Sequence, residues 1–575
     1  MKKKYVFILS FLFVINYTYG QNKNISFFGL HRTPINYTTL RGNAVSGDTI
    51  SNKQGTGGFT FIDLGIVGKP SDKISATAIM RGKNEFGAFF NTGASAEIRQ
   101  ITLEGTIADK FAFQVGDIDI GLTPYTFYNN DEIYNTYEAD IFKIRRDVVH
   151  YENFNNGNKW RVQGFDASTK AALNKKILKQ ISFRGFATRS RANNQQLPTT
   201  TLYYLNPDRL LVGGKLGVIQ SKYFKTSGNL VHFFDITGTS LDSSYSLKNT
   251  VLTNDFEVMF LDKQIKMGLR GEAGQSFYRY SERYPLREVN KNDYFYDASL
   301  FVKNKKIKLE VGYRNVGPQF YSPSAQSLRI INEISPSMFP TVNMGNNARV
   351  QTLLDRVTDL NIYNKSITQR LMPFLPQYGN VQPYGIATPN RSGFTANISN
   401  TQDSLMNFEV GADLLSEIVG EGSFSLRKFT SLRAGNQLNL YKLINTKRII
   451  QLRGAARMEN TTRSGSVPVN FKSLLVDAGA LFEIAKRFDF SLGYKYLNAS
   501  GNEYLAIRDD FNDITSFNTF EMKSSQGWYT VGLQYRIANN SIVSLHSNLL
   551  AYQNKQDAMN SFNINQIFLF YSLGF

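Results

Sequence analysis

The chain contains no cysteine, which removes disulfides, thiolate metal sites and a cysteine-borne lipid anchor from consideration. Only four histidines occur, His31, His150, His232 and His546, and no two stand at metal-ligand spacing, so no metal or other cofactor is expected. Long apolar runs are missing as well. The one apolar stretch, residues 5–15, has 11 residues, against the roughly 20 that a membrane-crossing helix needs. Lys2, Lys3 and Lys4 precede it and Thr18-Tyr19-Gly20 follow, so residues 1–20 read as a secretory signal peptide with Gln21 as the mature start. Acidic residues are in the minority. Three lysines lost with the signal take the net charge from +19 to +16. No nucleic-acid motif accompanies that charge, so a basic lumen or contact with anionic lipid headgroups is the expected use of it.

What the chain has is aromatic residues (13%), glycine (44 residues) and strict alternation. Tyr529, Val531, Leu533, Tyr535 and Ile537 alternate with Thr530, Gly532, Gln534 and Arg536, and a turn at Asn539-Asn540 leads into Val543, Leu545 and Leu549. The same grammar fills 476–484 and 488–496, 294–302 and 307–313, and 256–260 and 265–269. Only alternate residues of a lipid-facing strand need be apolar, which keeps mean hydropathy below zero. Nine or more alternating residues joined by short turns at one end and long connections at the other fit tilted membrane strands. The fold class expected is all-β: a transmembrane antiparallel β-barrel of about 20 to 24 strands.

The last strand carries the clearest signal. Ile567, Leu569, Tyr571, Leu573 and Phe575 form one apolar face, while the other mixes Gln566, Ser572 and Gly574 with Phe568 and Phe570. This ending resembles the C-terminal assembly signal of outer-membrane β-barrels, with Tyr571, Leu573 and Phe575 at the positions read by the insertion machinery. Together with the Tyr-Gly before Gln21 and the Asn/Lys/Phe-rich composition, it resembles exported, porin-like barrels of Bacteroidota. The resemblance implies outer-membrane localisation, with outer-membrane lipid, the barrel-assembly machinery and envelope proteins as partners.

Alternation fails between residues 317 and 393, where 8 of the 15 prolines fall. Proline removes a ladder donor, so this is an insertion acting as constriction, plug or cap. Val350, Leu353, Leu354, Val357 and Leu360 predict a short amphipathic helix over 348–360. Residues 21–56 read as a polar N-terminal segment, with a first strand expected at 25–30. Residues 57–316 and 394–575 read as the two parts of the barrel.

Candidate sites are few. Lys266, Arg270, Lys308, Arg314, Lys495 and Arg536 fall on lumen-facing positions, and a basic lumen would favour anions unless carboxylates on neighbouring strands pair with them. Ser544, His546 and Asn548 share a face and resemble the Ser/His/Asn set of an outer-membrane phospholipase, but ordinary lumen polarity explains them, and no enzyme is expected. Asp117 and Asp119 lack the further ligands of a calcium loop and read as strand-end carboxylates, while Asp509, Asp510 and Asp513, in a long loop, are a candidate weak calcium site. Aromatic clusters at Tyr125, Phe127, Tyr128, Tyr134 and Tyr137, and at Phe277, Tyr278, Tyr280, Tyr284 and Tyr294 with interleaved Arg279, Arg283 and Arg287, read as interfacial girdle or as a surface for sugars or acidic polymers. The stretches 116–125 and 316–326 look like family signatures without an activity attached. The function expected is a porin-like channel for solutes, anionic ones on the evidence of the lumen charges; the alternative is a non-conducting barrel within a secretion or surface-assembly machine.

Overall fold

The computed structural model describes residues 24–87, 93–130, 136–173, 175, 177–191, 207–239, 245–282, 286–400 and 405–575. The expected signal peptide, Tyr134, Arg283 and Tyr284 lie outside the described residues.

Twenty-two antiparallel strands form one closed sheet. Closure is made by the first strand, Ile25–Arg41, against the last, Phe562–Gly574, in a continuous register from Leu30↔Gly574 to Arg41↔Asn563. Closure matters because an open sheet edge in lipid would leave a row of backbone groups with no partner. The terminal Phe575 extends the seam: Gly29 N–H donates to its carbonyl at 2.7 Å, and its own N–H donates to Gly29 O at 3.0 Å. Its ring covers Gly29, where a Cβ would come within 2.2 Å of Cζ.

The alternating faces separate as expected. Ile567, Leu569, Tyr529, Val531, Leu533, Tyr535 and Ile537 are exposed on the outside. Buried Phe568 and Phe570 point inward, which explains the mixed face of the last strand. On the strand Val469–Ala485 the outward row runs Leu474, Val476, Ala478, Ala480, Phe482, Ile484. Ten residues of tilted strand span about 25 Å, the height of an outer-membrane apolar band. A closed, even-numbered barrel with such a band is the form in which chains cross the outer membrane.

Two-residue turns at 72–73, 486–487 and 539–540 mark the end at which Phe575 lies, the periplasmic end of such barrels. The long connections 121–159 and 317–390 leave from the opposite end. Both fold into the lumen, and the apolar core of this protein is there: Leu353, Leu354, Val357, Tyr378 and Phe142 cluster with the wall residues Trp528, Leu475, Leu497 and Leu550.

Three expectations need correction. Residues 21–56 are not a polar preface: Ile25–Arg41 is a full barrel strand and Gln54–Ser71 the next, so the barrel begins at Ile25 and not at 57. His31 and Thr33 interrupt its outward row Phe27, His31, Thr33, Ile35, Tyr37 and hide the alternation. At the other boundary, the strand Arg391–Asn400 starts inside the segment read as insertion. The helix expected over 348–360 is reduced to one 3-10 turn, Asp355–Val357. There the Asp355 carboxylate accepts from Thr352 N–H at 2.8 Å and pairs with Arg349 at 2.8 Å, and such side-chain bonds compete with helical ones.

Candidate functional site

The lumen is filled by two segments that lock together. From the first comes a helix, Asp140–Glu152, whose Ile141, Phe142, Val148 and Val149 are buried. Its seat is a glycine trough on three adjacent strands. A Cβ on Gly479 would sit 2.3 Å from Ala139 Cβ, on Gly493 2.5 Å from Ile141, and on Gly532 2.9 Å from Ile141. Phe142 lies against Trp528 with ring centres 4.5 Å apart.

Ion pairs fix both ends of the helix. Lys495 Nζ donates to Glu138 and lies 3.0 Å from Asp477, while Arg146 reaches Glu138 at 2.6 Å. At the other end Arg81 bridges Asp63 at 2.6 Å and Glu152 at 2.8 Å, and Tyr151 donates to Asp63. Between them Arg145 donates to Gln566 Oε1 at 2.6 Å with its guanidinium 4.0 Å above Phe568, and burial lowers its pKa to about 9. Burial, aided by Arg329 and Arg146, holds His150 down to about 3, so it is neutral at physiological pH.

The two signature-like stretches meet inside the barrel. Tyr125 stacks on Phe295 at 3.9 Å and packs edge-on to Phe320. Ser322 and Ser324 hydroxyls both donate to Thr126 O, at 3.1 and 2.6 Å, and Trp160 Nε1 donates to Ser324 O at 2.9 Å. These contacts tie the insertion to the segment carrying the helix.

Three cavities lie between the insertion and the wall: the outer one against Phe488–Arg508 and Ile514–Ala538, the middle one against Met406–Ser416, Lys428–Asn439 and Ile450–Arg463, and the inner one mainly against strands between Gln180–Arg191 and Arg391–Asn400. The outer one, about 350 Å³, is lined by Arg370, Arg391, Arg427 and Arg508 against Glu333 and Glu421, with Phe374 and Tyr384 beside them. The middle one, about 220 Å³, balances Arg356, Arg433 and Arg457 against Glu409, Asp413 and Glu459. The inner one, about 710 Å³, holds Lys225, Arg270 and Arg314 among a majority of carboxylates. Phe374 and Pro383 border both the outer and middle cavities; Gln382, Asp413 and Arg433 border both the middle and inner ones. Those five side chains stand between neighbouring cavities.

All six cations singled out from the sequence face the lumen, and each has a carboxylate beside it. Lys266 reaches Asp262 at 3.0 Å, Arg270 and Lys308 reach Glu310 at 2.5 and 2.7 Å, and Arg314 reaches Asp297 at 2.9 Å. Arg536 reaches Glu483 and Asp489, both at 2.9 Å, and Lys495 holds the helix. The path arginines Arg370, Arg433, Arg457 and Arg508 were not read from the sequence. Arg370 lies in the insertion, and Arg433 and Arg457 each stand on a lumen-facing row of their strands, where the alternation was available to find them.

Ser544, His546 and Asn548 are buried behind the helix. Among the described residues Ser544 Oγ and His546 Nδ1 have no hydrogen-bond partner, so the two are not coupled to each other, and Asn548 accepts from Trp528 and Thr530. Asp117 accepts Ile101 N–H at 2.7 Å and Asp119 pairs with Arg161 at 2.8 Å. Among the described residues no cluster could hold a metal ion.

At the outer mouth, two hairpin tips meet. Arg287 reaches Asp509 at 2.8 Å and Asp513 at 2.7 Å, Lys291 pairs with Asp513, and Phe511 is held between the Tyr280 ring at 4.2 Å and the Arg287 guanidinium at 4.0 Å. Arg370 Nη1 donates to Arg508 O at 2.8 Å, which joins the insertion to the same tip.

No family model and no curated protein matches this chain. Among solved structures it is similar to a BenF-like porin from Pseudomonas fluorescens (7% identity over 97% of this chain and 100% of that one, TM-score 0.35). It is also similar to the outer membrane protein OpdK from Pseudomonas aeruginosa (7%, 96% and 99%, TM-score 0.33) and to the PapC usher translocation pore (8%, 95% and 99%, TM-score 0.33). By its own closed ladder, outward apolar band and inward core, the chain is a 22-stranded outer-membrane β-barrel with a filled lumen.

Proposed function

We propose that this protein is a porin-like channel of the outer membrane of a Bacteroidota-type cell, admitting small anionic solutes and doing no chemistry on them. The observation that supports this is the row of three cavities beside the insertion, the outer one lined by four arginines, of which Arg370, Arg427 and Arg508 have carboxylates beside them and Arg391, in no ion pair among the described residues, is left as a basic excess. In a narrow low-dielectric passage such an excess sets which ion enters. The middle and inner cavities carry no basic excess, so the charge filter is the outer one.

The test is single-channel conductance in a planar bilayer under a salt gradient. Anion-selective conductance is expected. One unit charge about 8 Å from the path in water favours an anion and disfavours a cation by about 0.5 kcal/mol each, so Arg370→Gln with Arg508→Gln should lower the anion-to-cation ratio by up to about thirtyfold. A silent wild-type protein would overturn the channel reading and favour the barrel as part of a secretion or assembly machine.

A further inference from the structure

The outer surface of the barrel carries a pair of cations that no carboxylate among the described residues neutralises. Lys248 and Arg279 stand directly opposite each other on neighbouring strands, Tyr245–Asp262 and Lys266–Glu282. Both are exposed, while their chain neighbours Leu247, Tyr278 and Tyr280 are buried, so the two side chains share the outside face. Directly opposed residues have Cβ atoms about 5 Å apart, and like charges in that position repel. Among the described residues neither is in an ion pair; the nearest carboxylate on that face, Glu288, sits one rung further out, opposite Ser281.

Their height is as telling as their charge. The apolar band below them ends with Leu230, Leu252 and Tyr294, all exposed and in one register row with Gln275. The next row outward holds Thr250 and Phe277, and the one after that holds Phe234, Lys248 and Arg279. Four residues separate Leu252 from Lys248, about 13 Å along the strand and about 10 Å along the axis of a tilted barrel. Long cationic side chains reach several ångströms back toward that boundary. The pair therefore faces the headgroup layer of the external leaflet, with Phe234 and Phe277 beside it to meet the upper acyl chain and sugar.

We propose that Lys248 and Arg279 form an external site for the phosphate of an outer-leaflet phosphoglycolipid, whose acyl chains lie on Leu230 and Leu252. A phosphate bridging the two cations turns a repulsive rung into two charge-assisted contacts. The proposal needs only the barrel in its membrane and holds whether or not the lumen conducts.

The test is native mass spectrometry of the full detergent-solubilised protein titrated with bisphosphorylated lipid A. Wild-type protein is expected to retain the lipid, and Lys248→Gln with Arg279→Gln to weaken retention about tenfold to thirtyfold. Dephosphorylated lipid A should bind the wild type as weakly as phosphorylated lipid binds the variant. Arg279→Glu supplies the control for folding: it places opposite charges on the rung, so the barrel should be at least as heat-stable in lipid-free detergent while losing the lipid. Equal retention by wild type and both variants would overturn the site. So would displacement of the lipid by inorganic phosphate at equal phosphorus concentration, which would mean a free-anion site.

Discussion

Lys495 shows how a lumen cation can be structural. Its ammonium is buried between Glu138 and Asp477, with Arg146 on the far side of Glu138. Breaking a buried pair is expensive because the abandoned charge has no water to return to, whereas removing every member together is close to neutral. Lys495→Ala should therefore loosen the helix by about 3–5 kcal/mol. Hydrogen exchange would show this as lost amide protection over Asp140–Glu152 with the strand amides unchanged. A triple variant, Lys495→Met with Glu138→Gln and Asp477→Asn, should restore most of that protection. If the single and triple variants exchange alike, the network does not hold the helix.

At the scale of elements, the two hairpin tips over the mouth form a weak latch. Its ion pairs are partly exposed, with Arg287 40% accessible, and pairs of that kind contribute about 0.2–1 kcal/mol each and are screened by salt. The latch should therefore loosen as ionic strength rises, and conductance should grow faster than bulk conductivity between about 0.1 and 1 M salt. The chain has no cysteine, so Arg287→Cys with Asp513→Cys can be bridged by a short thiol cross-linker without background. The bridged protein should track bulk conductivity, and identical salt curves with and without the bridge would discard the latch. Elements also decide what a sequence reader can see. Strands with a wholly apolar outer row, such as Phe488–Arg508 over its first half, announced themselves by period two. Ile25–Arg41 did so only over 25–30, because His31 and Thr33 stand in its outer row beyond. The lumen helix was missed although Ile141, Arg145, Val148 and Val149 repeat at helical spacing, since its buried stripe contains a cation that pairs only in the assembled barrel. The path itself was not legible: Phe374, Pro383, Gln382, Asp413 and Arg433 come from two insertion stretches and two wall strands, and nothing local relates them.

For the whole molecule the question is which parts need each other. The wall ladder does not depend on the insertion: Ile307–Val316 and Arg391–Asn400 pair without a break from Ile307↔Asn400 to Val316↔Arg391. Residues 317–390 simply leave and return at adjacent rungs, so a short glycine-rich turn can replace them. The insertion, by contrast, depends on the wall, because its Leu353, Leu354, Val357 and Tyr378 are buried largely against wall residues. A barrel of 22 strands encloses far more space than its wall side chains fill. Deleting 318–389 should thus leave a barrel that still assembles, seen as the heat-dependent shift in gel mobility of closed barrels, with conductance raised at least about fivefold. Anion preference should fall at the same time, because Arg370, Phe374 and Gln382 leave with the deleted segment and the outer and middle cavities lose their inner walls. A deletion variant that assembles and conducts no better than the wild type would mean that the helix segment alone seals the lumen, and the path beside the insertion would then lose its role. A variant that fails to assemble would mean that the lumen core, rather than the ladder, holds the barrel closed.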